Sequence, residues 1–427
     1  MHRECTSVHG RRAGAKVRMK RILMIAYHFP PLAGSSGIQR TLRFVQHLPS
    51  FGWQPLVLTV HPRVYERVSN DLLDEVPSDL IVRRANALDA AKHLQFRGRY
   101  FGWTARPDRW MTWRFAGIRA GLNLIREFKP DVIWSTYPIA TAHVIGAELH
   151  RRSGIPWVSD FRDPMAQDGY PVDPITWKAY QSIEEMAVAN SSYAVFTTPS
   201  AARIYRDRYP ASADRIVVIE NGYDESSFPT NRVANAYSDG PVKLLHSGIV
   251  YPWERDPRQL FIAIKNLHDA GVLSHGKLQI QFRASAHDSH LQALAQELGV
   301  LNYIELLPPL PYREALAEMM TTDALLVMQA ANCNAQIPAK IYEYLRAGRP
   351  VLGLTDPAGD TAGVLRSAGI ASIARLDSVA EIEAVLPAFL AAIRAGTAPL
   401  PEPEAVRLAS RRGRTEALAR LLQNALT

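Results

Sequence analysis

"IPAKIYEYLRAGRPVLGL" (337–354) changes character halfway. Pro338 suits the first turn of a helix, Gly348 and Pro350 close it, and the apolar run that follows reads as a strand buried on both faces. A helix feeding a strand of that kind is half of a parallel β-α-β unit. The same stretch sets Lys340 and Glu343 three residues apart, one turn of helix, close to the helix start. An intrahelical Lys–Glu pair of this spacing is worth only about 0.3 kcal/mol. The alternative is a site that needs one cation and one carboxylate side by side.

Outward from this stretch the pattern repeats. Before the helix come "VKLLHS" (242–247), "KLQIQFRA" (277–284), "YIELL" (303–307) and "ALLVMQ" (324–329); "IASIAR" (370–375) follows it. Toward the N-terminus a separate series runs through "RILMIA" (21–26), "QPLVLTV" (54–60), "DLIVRR" (79–84), "DVIWST" (131–136), "PWVSDF" (156–161), "YAVFTT" (193–198) and "RIVVIEN" (215–221). Helical patterns at 38–51 and 109–128 fall between these runs. Between the two series, "DESSFPTNRVANAYSDGP" (224–241) loses the apolar pattern and reads as a linker. The spacing predicts an α/β chain of two doubly wound, Rossmann-like domains facing across a cleft, at 20–225 and 242–410. A linker at 226–241 joins them, and a final helix at 411–427 carries Leu418, Leu421 and Leu422 to bury. The first 19 residues, with their basic groups, read as a disordered leader without the apolar run of a signal peptide.

Composition narrows the function. The chain has 427 residues and a formal net charge of +8. Residues 1–20 hold six basic groups and one acid, and residues 83–119 hold nine Lys or Arg against Asp89 and Asp108. The remainder is slightly acidic, which argues against a nucleic-acid partner. Residues 83–119 also contain Tyr100, Phe101, Trp103, Trp110, Trp113 and Phe115. Such a segment suits either the surface of an anionic membrane or an amphipathic helix with its aromatics in the core. Two cysteines, Cys5 and Cys333, make neither a disulfide framework nor a metal cluster. The histidines, His28, His143 and His287 among them, lack metal-ligand spacing and read as structural or solvent-facing. A cytoplasmic location is expected, with peripheral contact at the inner membrane face as an option.

In doubly wound folds, ligands bind at the loops that follow strands. Four such loops hold candidates. "YHFPPLAGSSGIQR" (27–40) brings Gly34 and Gly37, which permit close backbone approach, with Ser35, Ser36 and a helix start that favours an anion. "SDFRDP" (159–164) groups Asp160, Arg162 and Asp163; Arg162 suits bidentate contact with a phosphate or carboxylate, or a loop-organising ion pair. In the opening stretch, Lys340 beside the positive helix end suits a diphosphate, and Glu343 can accept two hydroxyls of a ribose; Asn334 and Gln336 lie just before. "HSGIVYPWERDP" (246–257) offers Gly248 for close approach and Arg255 for charge, to which Arg283 can add.

"FPPLAGSSG" after the first strand, "IENGYD" (219–224) before the linker and "PAKIYEYLRAGRPVL" in the second half together resemble glycosyltransferase family 4 of the GT-B fold. The resemblance implies a retaining, metal-independent transferase of hexosyl units from a nucleotide-sugar such as a UDP- or GDP-sugar. It implies a donor on the second domain and a glycan or lipid-linked acceptor on the first. It also implies that Glu343 holds the ribose, that Gly34 and Gly37 contact the donor across the cleft, and that Arg162 or Asp163 lies where many members place a histidine near the reacting sugar. A role in surface polysaccharide biosynthesis follows by family analogy. Two departures stand out. Ala335 occupies the position, eight before Glu343, where members often carry a first Glu. Their basic pair after the strand equivalent to 242–247 matches Ile249 and Glu254, with Arg255 displaced by one. Lys340 and Arg255 are the expected replacements. A nucleotide-sugar epimerase on the same fold, or a non-catalytic sugar-nucleotide-binding subunit, are the competing readings. A nicotinamide dehydrogenase is disfavoured because neither half carries the three-glycine fingerprint.

Overall fold

The computed structural model describes residues 18–35, 37–93, 102–230 and 240–427, with backbone alone at 103 and 104. Most of the basic leader, half of the 226–241 linker, Ser36, Tyr100, Phe101 and the Trp103 side chain therefore lie outside the described residues.

Every apolar run forms a strand. In the first lobe these are β1 (Lys20–Ile25), β2 (Trp53–Val60), β3 (Ile81–Ala85), β4 (Val132–Thr136), β5 (Trp157–Arg162), β6 (Tyr193–Phe196) and β7 (Ile216–Val218). In the second they are β8 (Val242–Ser247), β9 (Leu278–Arg283), β10 (Ile304–Leu307), β11 (Ala324–Gln329), β12 (Val351–Thr355) and β13 (Ile373–Ala374). The first sheet has seven parallel strands in the order β3-β2-β1-β4-β5-β6-β7, the second six in the order β10-β9-β8-β11-β12-β13. Strand order reverses between β1 and β4 and again between β8 and β11. These are the switch points at which the loops diverge and leave a crevice.

Period-two alternation explains why the strands are apolar throughout. Leu23 and Ile25 enter one core with Trp113, Leu124 and Ile145; Ile22 and Met24 enter the opposite core with Leu42 and Val45. In the second sheet Leu326, Met328 and Leu352 face one layer, while Leu325, Val327 and Val351 meet Ile341, Tyr344 and Leu345 of the Lys340–Ala347 helix. The last helix, Arg411–Asn424, returns to the first lobe and buries Leu418, Leu421 and Leu422 beside Ile22 and Met24.

Two helices differ from expectation at their ends. The 109–128 pattern becomes a helix only from Trp113 to Phe128. Asp108 accepts from the amide of Trp110 (3.0 Å) and from that of Thr141 (2.8 Å), which holds the preceding residues in a turn. The 38–51 pattern is helical over Gly37–His47 and tightens to a 3-10 turn at Leu48–Phe51, where Pro49 lacks an amide donor.

The two lobes meet at their strand ends. Asp360, beyond β12, accepts from the amide and hydroxyl of Ser200, beyond β6, both at 2.9 Å. The chain crosses between lobes twice, and the crossings touch: Tyr223 pairs with Ser410, and a Cβ on Gly222 would strike the carbonyl oxygen of Ala409.

Candidate active site

The Lys340–Ala347 helix is fixed from below. Ile341, Tyr342, Tyr344 and Leu345 are buried, and the Tyr344 hydroxyl accepts from the Ser247 amide at the end of β8 (2.8 Å). The remaining side of the helix carries Lys340 and Glu343. Pro338 lies two residues ahead of Lys340, its carbonyl accepting from the Ile341 amide at 3.0 Å. The Lys340 ammonium donates to the Ser247 carbonyl at 2.5 Å, and a Cβ on Gly248 (φ +120°) would fall on that ammonium. Glycine is therefore required at 248 for both conformation and space. Arg255 donates to the Ile249 carbonyl at 2.7 Å and lies over the Tyr251 ring. Lys340, Gly248 and Arg255 thus come together at the β8–β11 switch point.

Burial, reinforced by the Arg255 charge, lowers the Lys340 pKa to about 7. Glu343 accepts from the Tyr312 hydroxyl at 2.7 Å, and burial raises its pKa against the opposing pull of that hydrogen bond. A lysine that titrates near neutrality has a testable signature. A bound diphosphate favours the ammonium, so below pH 7 the site is ready-charged, and above it binding must take up a proton. The affinity for a nucleotide-sugar should fall by up to about tenfold per unit as pH rises through 7 to 8.5. Calorimetry across that range checks this, and Lys340→Met should flatten the profile.

On the first lobe the β1 loop begins the Gly37–His47 helix. Gly34 turns the chain at φ +78°, and the Gly37 amide donates to Ser35 Oγ at 3.2 Å. Ser35 Oγ also lies 3.0 Å from His28 Nδ1. Arg162 ends β5 with φ +64°, a left-handed backbone rare for a side chain of this size, and a Cβ on Gly37 would lie 2.7 Å from its guanidinium. Asp163 accepts from Thr197 Oγ1 at a long 3.4 Å.

Three of the expected site residues are engaged elsewhere. Asp160 is fully buried, forked to Arg40 at 2.8 and 3.0 Å, and accepts from Thr136 Oγ1 at 2.9 Å. It lies under the site and positions it, rather than presenting a carboxylate to substrate. Asp160→Ala would strand the buried Arg40 charge, a loss of about 3–5 kcal/mol readable as a lower midpoint in urea. Arg283 is ion-paired with Glu318 and donates to the Pro308 carbonyl at 2.6 Å, so its charge is neutralised away from Lys340. Asn334 Nδ2 donates to Asp356 at 2.6 Å and braces the loop before Lys340.

His28, Tyr312 and Arg411 join the site without having been singled out. The Arg411 guanidinium begins the Arg411–Asn424 helix with neither hydrogen bond nor ion pair among the described residues, and burial lowers its pKa to about 10, partly offset by Asp224. Its field reaches Glu343 and Tyr312. Of the aromatic segment, Trp113 is fully buried and Trp110 packs on Tyr27 at 4.6 Å between ring centroids. Phe115, with Arg114 against its ring, is 63% exposed. Among the described residues no group of His, Cys, Asp or Glu is arranged to hold a metal, and no helix is long and apolar enough to cross a membrane.

Two Rossmann-like lobes with their strand ends turned to one cleft constitute the GT-B fold of glycosyltransferases. Solved structures with this arrangement span nearly the whole chain. HepE from Anabaena in complex with UDP is 13% identical with a TM-score of 0.59, covering 95% of this chain and 100% of that one. WaaG, a glycosyltransferase involved in lipopolysaccharide biosynthesis, is 15% identical with a TM-score of 0.55, covering 94% and 99%. Sucrose-phosphate synthase from Thermosynechococcus elongatus is 12% identical with a TM-score of 0.57, covering 95% and 98%. The sequence has no match among curated proteins. Residues 36–222 match the family model of the glycosyl transferase 4-like domain.

Proposed function

We propose that the protein transfers a hexosyl unit from a UDP- or GDP-sugar to a glycan or lipid-linked acceptor, with retention, in the synthesis of a surface polysaccharide. The observation that carries this reading is the Lys340 ammonium against Gly248, with Glu343 one helical turn away. That pairing presents a cation to a diphosphate and a carboxylate to the ribose diol attached to it. Breaking the sugar–phosphate bond leaves charge on the diphosphate, and Lys340 and Arg255 are fixed where that charge develops. Lobe closure about the Tyr223–Ser410 crossing would exclude water that otherwise hydrolyses the donor. HepE, a structural neighbour, is seen with UDP-glucose, and WaaG acts in lipopolysaccharide biosynthesis; both support the nucleotide-sugar and surface-glycan parts of the reading.

Incubating donor sugars with and without an acceptor extract tests the reaction. Transfer requires the acceptor and yields a product whose anomeric configuration matches the donor. Conversion of the sugar in the nucleotide without acceptor would instead mean an epimerase, and no turnover with any donor a binding subunit.

Peripheral membrane contact is part of the proposal in reduced form. With Trp110 and Trp113 in the core, Phe115 remains, flanked by Arg114, Arg119 and Arg126 on one helix. Each basic group near an anionic surface contributes about 1 kcal/mol. Co-sedimentation with vesicles containing phosphatidylserine should fall several-fold for Phe115→Asp and be weak on neutral vesicles.

A further inference from the structure

We propose that Arg162 and the start of the Gly37–His47 helix form an anion subsite that recognises a carboxylate or phosphate substituent on one of the reacting sugars. This rests on the transferase reading above and adds that one of its substrates is acidic.

Three independent features converge on the same point. Arg162 Nε is buried and has no hydrogen-bond partner, and among the described residues its guanidinium forms no ion pair. A guanidinium nitrogen withdrawn from water without an acceptor is costly unless something arrives to satisfy it. Its backbone is held at φ +64°, so the β5 terminus is bent to aim this side chain at the expense of local strain. Its Nη1 end lies against Gly37, at the N-terminus of an eleven-residue helix whose dipole concentrates positive potential there. A cation placed on the positive end of a helix is doubly unfavourable, and an anion between the two satisfies both.

Among the described residues, the neighbouring side chains do not neutralise Arg162. Asp160, the nearest carboxylate along the strand, is paired with Arg40. Asp163 exerts a field on Arg162 but forms no ion pair with it. His28, pushed down to about 4 by burial and by the Arg162 charge, is neutral at pH 7 and paired with Ser35, so it offers a hydrogen bond without a competing charge. Gly37 has no Cβ, and a Cβ there would collide with both His28 and Arg162. The donor's diphosphate already has Lys340 and Arg255 on the other lobe, which points to a second acid, carried either by the transferred sugar or by the acceptor.

Calorimetric titration of inorganic phosphate into the full-length protein, with and without saturating UDP or GDP, tests this directly. The proposal expects phosphate to bind in the presence of the nucleotide, with Arg162→Gln weakening it at least about tenfold and leaving nucleotide affinity unchanged. Gly37→Ala, which inserts a methyl group without altering charge, should weaken phosphate comparably and serves if Arg162→Gln does not fold. Tighter binding of UDP-glucuronate than UDP-glucose, lost in Arg162→Gln, would put the acid on the transferred sugar; the same behaviour for glucose 6-phosphate over glucose would put it on the acceptor. Phosphate binding unchanged in both variants, or abolished by the nucleotide, overturns the proposal. Failure of the transferase reading is separate, appearing as no nucleotide binding at all.

Discussion

Glu343→Ala is expected to weaken nucleotide-sugar binding by roughly 150-fold while leaving the fold intact. A carboxylate accepting two ribose hydroxyls makes two charge-assisted hydrogen bonds, and their loss is worth about 3 kcal/mol in all. Among the described residues Glu343 has one side-chain partner, the Tyr312 hydroxyl at 2.7 Å, which water can replace at the cleft surface. The variant should therefore unfold at nearly the wild-type temperature. Glu343→Gln keeps an acceptor and should show a smaller loss, near tenfold. Titration of both variants with UDP and GDP checks this; wild-type affinity in Glu343→Ala would remove the ribose from this helix.

Lys340→Met should act on the rate more than on binding. A fixed cation at the departing diphosphate is worth about 3 kcal/mol in the transition state, a fall in kcat of about a hundredfold to a thousandfold. The same substitution should raise the melting temperature. Burial lowers the Lys340 pKa to about 7, so the folded state disfavours the ammonium relative to the unfolded chain; Met carries no charge to bury. A group that costs stability in the free protein while serving the reaction is the expected mark of a functional site. Melting curves and initial rates on one preparation separate the two effects. A Lys340→Met protein that turned over at the wild-type rate would refute the assignment, whatever its stability.

The fold was legible because a strand buried on both faces leaves a continuous apolar run, and each of the thirteen runs became a strand. What blurred were ends. Asp108 holds residues 108–112 out of the following helix through contacts to Thr141, a partner 33 positions away that local pattern does not show. The site was legible in part for the same reason. Lys340 and Glu343 share a helix, so their spacing alone predicted that they point together. Asp160 and Arg283 looked like free charges at strand ends, yet their partners, Arg40 and Glu318, lie 120 and 35 residues away. Local sequence does not distinguish a charge that waits for a ligand from one already neutralised. Tyr312 was missed because a lone tyrosine after a proline-rich turn carries no signal until the Tyr312–Thr321 helix places it beside Glu343. His28 was read as structural because its significance comes from Arg162 at the end of β5, whereas His28 itself lies in the loop after β1.

All of the functional argument depends on a nucleoside diphosphate occupying the β8–β11 switch point between Lys340 and Glu343. Thermal unfolding with UDP-, GDP-, ADP- and dTDP-sugars measures this most directly, since a ligand bound only by the native state raises the melting temperature. The account predicts a rise of several degrees with one nucleotide class, abolished by Glu343→Ala and reduced by Lys340→Met. Unchanged melting with all four classes at millimolar concentration, or a rise that both variants retain in full, would contradict it.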